Sequence, residues 1–432
     1  MDLEPFVHKT VDFKFNGAAL RFDLSQSLFS SYDIDVGTRL LLKLAARDGA
    51  LAAARRVLDE GCGVGVIGLC VAKAFPQAEV LLRDRDRLAL GFAERNRLAN
   101  RLKGAEARTD PVTGELRPAR GAPRVAGGLL GEGLEGESFD FVLSNLPAKA
   151  GAPILALFFD RLAGRRGSPL LAPGGRAAIV IVKPLAEAAK GWISAAGLEI
   201  AASARGGMHE AFVLERRPGA VPSRLEGKAE PGPYLRGEGR FTLAGASYRA
   251  CGFWGLPEFD TAGYGSAAAA ELASRLPSLR ETAFRDALFL EPGVGHLAVW
   301  AAQKLGLKRI TASSRDLLAL KATGWNLASL GPRDRPEFAA FERFGEAEYA
   351  DGAFDLVAES PDVSSERDWA GPAWELAGRA LRPGGVYIAY CPPTEMARLE
   401  RRKPGSGGGV PRWSLLGQRR KKGFLASAWR RD

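Results

Sequence analysis

Two short stretches in which apolar and polar residues alternate open the chain, Val11-Asp12-Phe13-Lys14-Phe15 and Ala19-Leu20-Arg21-Phe22, with Asn16-Gly17 between them. Alternation on either side of Asn-Gly predicts a β-hairpin, because that dipeptide accepts the left-handed backbone of a tight hairpin turn. The segment Leu28-Phe29-Ser30-Ser31-Tyr32-Asp33-Ile34-Asp35-Val36-Gly37-Thr38 then leads into an apolar helix over 40–46. From residue 57 the period switches repeatedly. Strands are predicted over 57–59, 80–83, 105–109, 139–144, 176–182 and 211–214, and helices over 66–74, 89–102, 154–162 and 186–196. Residues 111–136 are rich in Gly, Pro and Arg and read as an inserted loop. Such alternation implies an α/β fold with a mostly parallel sheet covered on both faces.

Between 216 and 240 the composition shifts to Pro, Gly and charge (Arg217-Pro218-Gly219, Pro231-Gly232-Pro233), which predicts a linker. The residues after this linker repeat the first half in order. The hairpin recurs over 241–248, and Phe259-Asp260-Thr261-Ala262-Gly263 echoes the segment over 32–38. Leu288-Phe289-Leu290-Glu291-Pro292-Gly293-Val294-Gly295 echoes 57–65, and 319–326 echoes 89–96. Phe354-Asp355-Leu356-Val357 echoes Phe139-Asp140-Phe141-Val142, and Leu381-Arg382-Pro383-Gly384-Gly385 echoes Leu171-Ala172-Pro173-Gly174-Gly175. The chain is therefore expected to hold one domain twice, over 1–215 and 241–432.

The stretch Val57-Leu58-Asp59-Glu60-Gly61-Cys62-Gly63-Val64-Gly65-Val66 reads as a buried strand, a glycine turn and the start of a helix. Glycines there let a ligand approach the backbone, and the helix amino terminus faces the same space. The dinucleotide pattern G-x-G-x-x-G is not met, since position 66 is Val and the third glycine comes one residue early. D-x-G-x-G-x-G resembles instead the first motif of S-adenosylmethionine-dependent methyltransferases of the Rossmann-like class. A second acid is then expected about 20 residues on, to hold ribose hydroxyls. Asp84, after Glu79-Val80-Leu81-Leu82-Arg83, meets that expectation. In the second copy the matching position, counted back from Asn326, is Ser314, and Pro292 now precedes Gly293 and Gly295. A hydroxyl in place of a carboxylate forfeits a charge-assisted hydrogen bond of about 1.5–3 kcal/mol. The second copy is read as degenerate, serving stability or substrate binding.

Asn145-Leu146-Pro147-Ala148 ends the strand over 139–144. It resembles the N-P-P-[F/Y] tetrad of methyltransferases acting on planar exocyclic amines. In that mechanism the Asn oxygen and the next backbone carbonyl accept from the amine and aim its lone pair, so catalysis is mainly positioning. Leu146 still offers its carbonyl. Ala148 lacks the ring on which a flipped base would stack, worth about 1–3 kcal/mol, and Phe29, Tyr32 and Phe158 are the candidate substitutes. Lys149 is placed to meet a phosphate.

These motifs, the 28–42 segment (S-x-x-x-x-D-x-G-T-x-L-L-L) and the duplication together resemble the two-domain ribosomal RNA guanine-N2 methyltransferases, the RsmC-like group. The resemblance implies two tandem Rossmann-like class I methyltransferase domains, with S-adenosylmethionine as cofactor and a guanine of ribosomal RNA as target. By matching position, Asp59, Gly61, Gly63 and Gly65 would line the cofactor and Asp84 would hold its ribose. Asp110, taken to end the third strand, would sit near the adenine, while Asn145, Leu146 and Pro147 would orient the amine beside the cofactor. In that group the amino-terminal copy is typically the decayed one, whereas here the order is reversed.

Composition adds a partner. The 432 residues carry a formal charge of +10, which favours an acidic partner, nucleic acid first and a membrane surface second. A basic run near the end (Arg398, Arg401, Arg402, Lys403, Arg412, Arg419, Arg420, Lys421, Lys422), interleaved with Trp413 and Trp429, is expected to contact RNA phosphates. Cys62, Cys70, Cys251 and Cys391 form no C-x-x-C pair, and His8, His209 and His296 lie far apart. That argues against a metal site or a disulfide framework and suits a reducing cytosol. No leader and no apolar run of about 18 residues is seen, so no membrane is expected and a cytoplasmic location is the expectation. Two rival functions stay open: a methyltransferase of a small molecule or protein side chain, and a non-catalytic RNA-binding or ribosome-assembly protein with a vestigial site.

Overall fold

The computed structural model describes residues 3–29, 31–102, 107–109, 116–118, 123–165, 167–216, 232–281, 284–344, 349–363, 367–405 and 411–432. It divides into two units, Met1–Pro233 and Tyr234–Asp432.

The first unit opens with the expected hairpin, β1 (Lys9–Phe15) and β2 (Ala18–Leu24). Asn16 and Gly17 both take positive φ, 46° and 81°, as a type I′ turn requires. Helix α1 (Val36–Ala45) begins where the Asp35 carboxylate accepts the Thr38 N–H at 3.1 Å, a side-chain cap. The short helix α2 (Gly49–Ala53) follows, and then the alternating part: β3 (Arg56–Glu60), α3 (Val66–Ala74), β4 (Glu79–Asp84) and α4 (Arg87–Ala99). Next come β5 (Ala107–Thr109), β6 (Leu116–Pro118), β7 (Arg124–Gly127), β8 (Phe139–Asn145), α5 (Ala152–Ala163), β9 (Leu171–Val182), α6 (Lys183–Ala195), β10 (Leu198–Gly206) and β11 (His209–Arg216).

The sheet order is β10-β11-β9-β8-β3-β4-β7. Strands β7, β4, β3, β8 and β9 run parallel, and β11 returns antiparallel beside β9. Helices α5 and α6 bury Phe158, Phe159, Leu162 and Ile193 against one face, among Leu58, Val142, Ile179 and Phe212. Helices α1 and α3 pack on the other strands, α1 on β9 and β11 and α3 on β3 and β4. Because β3 and β8 are covered on both faces they read as continuous apolar runs, which makes them legible.

Two elements differ from expectation. The parallel strand beside β4 is β7, inside the stretch that reads as an inserted loop; residues 107–109 pair instead with 116–118. Arg124-Val125-Ala126-Gly127 is an edge strand with little buried surface, so it lacks the apolar run that marks the central strands. Asp110 lies outside the described residues. At the far edge, β10 carries no apolar signature because most of Leu198–Gly206 is exposed.

The second unit repeats this plan. After β12 (Leu235–Leu243) and β13 (Ala246–Phe253), joined through Ala244 and Gly245 at φ 41° and 77°, come α7 (Tyr264–Ala273) and α8 (Pro277–Glu281). The alternating part holds β14 (Asp286–Leu290), α9 (His296–Leu305), β15 (Arg309–Ser314), α10 (Leu317–Ala328), β16 (Glu337–Glu342) and β17 (Phe354–Glu359). It closes with α11 (Ala370–Ala380), β18 (Leu381–Cys391), α12 (Pro393–Arg401), β19 (Trp413–Lys421) and β20 (Phe424–Arg431). Its order, β16-β15-β14-β17-β18-β20-β19, matches the first sheet strand for strand. Even local bonds recur: Asp140 Oδ2 accepts the N–H groups of Arg55 and Arg56, and Asp355 Oδ2 those of Arg285 and Asp286, at 2.8 and 2.9 Å each time. Of the expected linker, 217–231 lie outside the described residues. Residues 235–240 belong to β12, whose alternating charge and glycine resembles loop composition but pairs with β13 as a ribbon. Among the described residues no helix is long and apolar enough to cross a membrane.

Candidate active site

The carboxyl ends of β3, β4 and β8 meet the amino-terminal turns of α1 and α3 in the first unit. After β3 the chain turns through Gly61, Gly63 and Gly65, at φ 78°, 53° and 88°. The three glycines do two different jobs. A Cβ on Gly61 or Gly63 would meet nothing within 4 Å, so both border open space. A Cβ on Gly65 would stand 3.2 Å from the Ala93 backbone; this glycine lets α3 approach α4. Asp84, at the end of β4, accepts the Gly63 N–H at 2.9 Å through Oδ2 and the Asp86 N–H at 2.9 Å through Oδ1. A carboxylate has about four acceptor sites, so capacity remains on both oxygens for a ligand hydroxyl. Burial raises the Asp84 carboxyl above its ordinary value, against backbone donation from Asp86, Gly63 and Arg85 and the Arg85 charge.

Behind this loop lie three buried charges, of which the glycine motif announces only Asp59. Asp59 is fully buried. Its Oδ2 accepts the Gly68 N–H at 2.7 Å, and its Oδ1 has no partner among the described residues. Burial, with Asp84 and Glu60 adding repulsion, pushes its carboxyl up to about 7. Glu60 is buried as well and pairs with Arg83 at 3.3 Å. Burial pushes Glu60 up to about 7 even against the Arg83 charge. The one sequence signal for this pair is an acid and a base at the ends of neighbouring apolar strands, β3 and β4.

Asn145 is the last residue of β8. Its Nδ2 donates to Asp35 Oδ2 at 3.1 Å and to Thr38 Oγ1 at 3.0 Å. Leu146 donates its N–H to the Val180 carbonyl at 3.0 Å and buries its side chain in the core, which holds the turn in place without the first proline. Pro147, Ala148 and Lys149 are exposed. Of the three candidate stacking aromatics, Phe158 is fully buried in the core, whereas Phe29 and Tyr32 are 73% and 63% exposed. Phe158 is thus excluded by its packing. Tyr32 is steadied by the His8 ring, edge-on at 4.9 Å.

The corresponding turn in the second unit carries a side chain at the counterpart of Gly61, whereas Gly293, like Gly63, borders open space. The alignment that matches Asn96 with Asn326 and Gly65 with Gly295 pairs Asp59 with Phe289, Glu60 with Leu290 and Arg83 with Ser313. It pairs Gly61 with Glu291 and Asp84 with Ser314. The change in this turn is therefore at Glu291 more than at Pro292. Glu291 keeps the positive φ of its glycine counterpart, 50°, a conformation costly for a residue with a side chain. Its carboxylate reaches back across the turn, accepting from Ser314 Oγ at 2.6 Å and from the Arg315 N–H at 3.1 Å. Arg343 lies 3.5 Å from Glu291 and from Glu359. The carboxylate has moved from strand to loop, and its side chain stands where Gly61 has none in the first unit.

The basic run of the second unit is partly spent on internal pairs. Arg398 pairs with Glu395, Arg402 with Asp368, and Arg419 and Lys421 with Glu271. Trp413 and Trp429 are buried around Trp374 and Tyr387, so they are core rather than stacking surfaces for a nucleic acid. Among the described residues no group of His, Cys, Asp or Glu could hold a metal ion.

Residues 19–120 match the profile of the family described as methyltransferase small domain. The match lies within the first unit and covers about a quarter of the chain. The chain is 31% identical over 132 residues to ribosomal RNA small subunit methyltransferase C of Pasteurella multocida, covering 31% of this chain and 33% of that one. It is 32% identical over 158 residues to ribosomal RNA large subunit methyltransferase G of Streptomyces coelicolor, covering 35% of each. The matched stretch thus spans about a third of the length of these curated relatives. In fold the likeness extends throughout. The 16S rRNA N2 methyltransferase RsmC of T. thermophilus, solved with AdoMet and guanosine, superposes with a TM-score of 0.64 over 99% of both chains at 20% identity. The RsmC-like resemblance read from the motifs therefore holds in fold and in the sequence of the methyltransferase small domain.

Proposed function

We propose that this RsmC-like chain is an S-adenosylmethionine-dependent methyltransferase acting on the exocyclic N2 amine of a guanine in ribosomal RNA. Its active centre lies in the amino-terminal unit, it works in the cytoplasm, and the second unit is a degenerate copy used for stability or substrate binding. The observation that carries this reading is the adjacency of an open glycine turn, a strand-end carboxylate and Asn145 at the carboxyl ends of neighbouring inner strands, with the Glu291 side chain at the counterpart of Gly61 in the second unit.

The residues fit the cofactor on two counts. Gly61 and Gly63 border open space, and Asp59 keeps a buried oxygen without a donor, a group that a cofactor ammonium, directly or through water, would satisfy. Gly61 and Gly63 would cradle the cofactor and Asp84 would take its ribose hydroxyls, while Gly65 contributes helix packing. Bound there, the group supplies a methyl carbon made electrophilic by the adjacent sulfonium. Asn145 Oδ1 and the Leu146 carbonyl accept the two N–H bonds of the guanine amine and so aim its lone pair. Positioning of this kind is worth several powers of ten in rate without a strong base, and the amine loses its proton after transfer. Tyr32 or Phe29 offers the ring that Ala148 lacks, each able to return about 1–3 kcal/mol of stacking.

The test is mass spectrometry of ribosomal RNA nucleosides from cells with the protein, without it, and with Asn145→Ala. One N2-methylguanosine is expected to vanish in the last two. Identical nucleosides in all three would overturn the proposal.

A further inference from the structure

Asn145 can orient an amine only if its carboxamide faces the right way, and the structure contains a device for that. Asp35 caps α1, and the same Oδ2 that accepts the Thr38 N–H at 3.1 Å also accepts from Asn145 Nδ2 at 3.1 Å. A carboxylate only accepts hydrogen bonds, so the side of the amide facing it must be the NH2. The second N–H goes to Thr38 Oγ1 at 3.0 Å. Both donors of Asn145 are thereby engaged by one helix turn, and Oδ1 is turned away from it. Among the described residues none donates to Oδ1.

The carboxylate itself has little freedom. Gly37 lies between Asp35 and Thr38, and a Cβ there would stand 2.7 Å from Asp35 Oδ2 and 3.0 Å from the His209 ring. The missing side chain leaves room for Asp35 to reach Asn145 while the first residue of β11 packs alongside.

We propose that Asp35 and Thr38 are positioning residues for methyl transfer, locking the carboxamide of Asn145 with its oxygen toward the methyl acceptor. This rests on the reading of Asn145 as the residue that orients the amine. A turned-over amide would present its NH2 to the incoming amine, donor against donor, and its oxygen to the Asp35 carboxylate. Loss of the charge-assisted bond alone disfavours that state by about tenfold to a hundredfold. Donation to a carboxylate also polarises the amide and strengthens Oδ1 as an acceptor. The lock therefore raises the fraction of enzyme competent for transfer without touching the cofactor.

Thr38→Val keeps shape and the capping backbone N–H but removes the acceptor, and Thr38→Ser restores it. Asp35→Asn serves as the second probe, because it offers donors as well as acceptors. Two readouts apply. The first is hydrogen exchange and the 1H–15N resonances of the Asn145 side-chain amide, which needs neither RNA nor cofactor. The second is methyl transfer to ribosomal RNA with titration of S-adenosylmethionine. In wild type the amide protons are expected to be protected, and Thr38→Val to lose that protection. Its kcat is expected to fall about tenfold or more while cofactor Kd and RNA KM stay within about twofold, and Thr38→Ser to recover most of the loss. An amide that exchanges freely in wild type, or an active Thr38→Val equal to wild type, overturns the lock alone. A wild type that methylates no RNA overturns the functional reading and the positioning role with it, whatever the amide shows.

Discussion

Asn96 and Asn326 make the same three hydrogen bonds in the two units. Asn96 Nδ2 donates to the Val64 carbonyl at 2.9 Å and to the Asp23 carbonyl at 3.1 Å, while its Oδ1 accepts the Asp23 N–H at 2.7 Å. Asn326 does so with Val294 at 2.8 Å and with Cys251 at 3.0 and 2.7 Å. Both side chains are fully buried. Each ties the opening hairpin of its unit to the glycine turn, so a role unrelated to ligand binding survived in both copies.

Asn96→Ala and Asn326→Ala should therefore each cost about 2–5 kcal/mol, because removal strands buried backbone groups as well as losing the bonds. Chemical unfolding followed by hydrogen exchange should place each loss in its own unit. A cost below about 1 kcal/mol in either would show that water replaces the amide.

A buried ion pair and its apolar counterpart give a second prediction. Arg83→Met leaves Glu60 buried without its partner and should cost about 3–5 kcal/mol. The double change Glu60→Leu with Arg83→Ser installs the residues that the second unit carries as Leu290 and Ser313. It should recover at least half of that loss, read from a double-mutant cycle in urea. A double variant as unstable as the sum of its parts would mean that Glu60 and Arg83 act independently.

The duplication and the motif edges are legible in the sequence for a physical reason. Central strands β3, β8, β14 and β17 are buried on both faces, and glycine turns leave a signature that survives divergence. Edge elements escape: β7 and β10 bury too little for an apolar run, and β12 resembles a linker until β13 pairs with it. In the site, Asp59, Gly61 and Asp84 stand out by spacing and Asp35 and Thr38 fall in the 28–42 motif, yet what Asp35, Thr38 and Glu291 do is not legible. Their roles depend on contacts between residues far apart in sequence or on a backbone conformation that residue type does not announce.

Acid should stabilise the first unit within a defined window. Asp59 and Glu60 titrate near 3.8 and 4.5 when unhindered, and burial raises both to about 7 in the fold. Folding therefore takes up protons between those values. The stability they contribute is complete below about pH 4 and is lost as pH climbs to about 7. At about 1.4 kcal/mol per unit of pKa, and about two units for each acid above pH 5, the unfolding free energy of the first unit should drop by about 5 kcal/mol from about pH 5 to pH 8. Asp59→Asn should flatten much of that slope. Stability that rises across the same window would contradict the buried placement of these acids.

Calorimetric titration of the full chain with S-adenosylmethionine distinguishes one cofactor site per chain from none or two. One site per chain is predicted, with affinity falling about tenfold to a hundredfold in Asp84→Ala, the worth of charge-assisted bonds to the ribose, and unchanged in Ser314→Ala. No heat from wild type, two sites per chain, or an Asp84→Ala protein that binds as wild type does would contradict it.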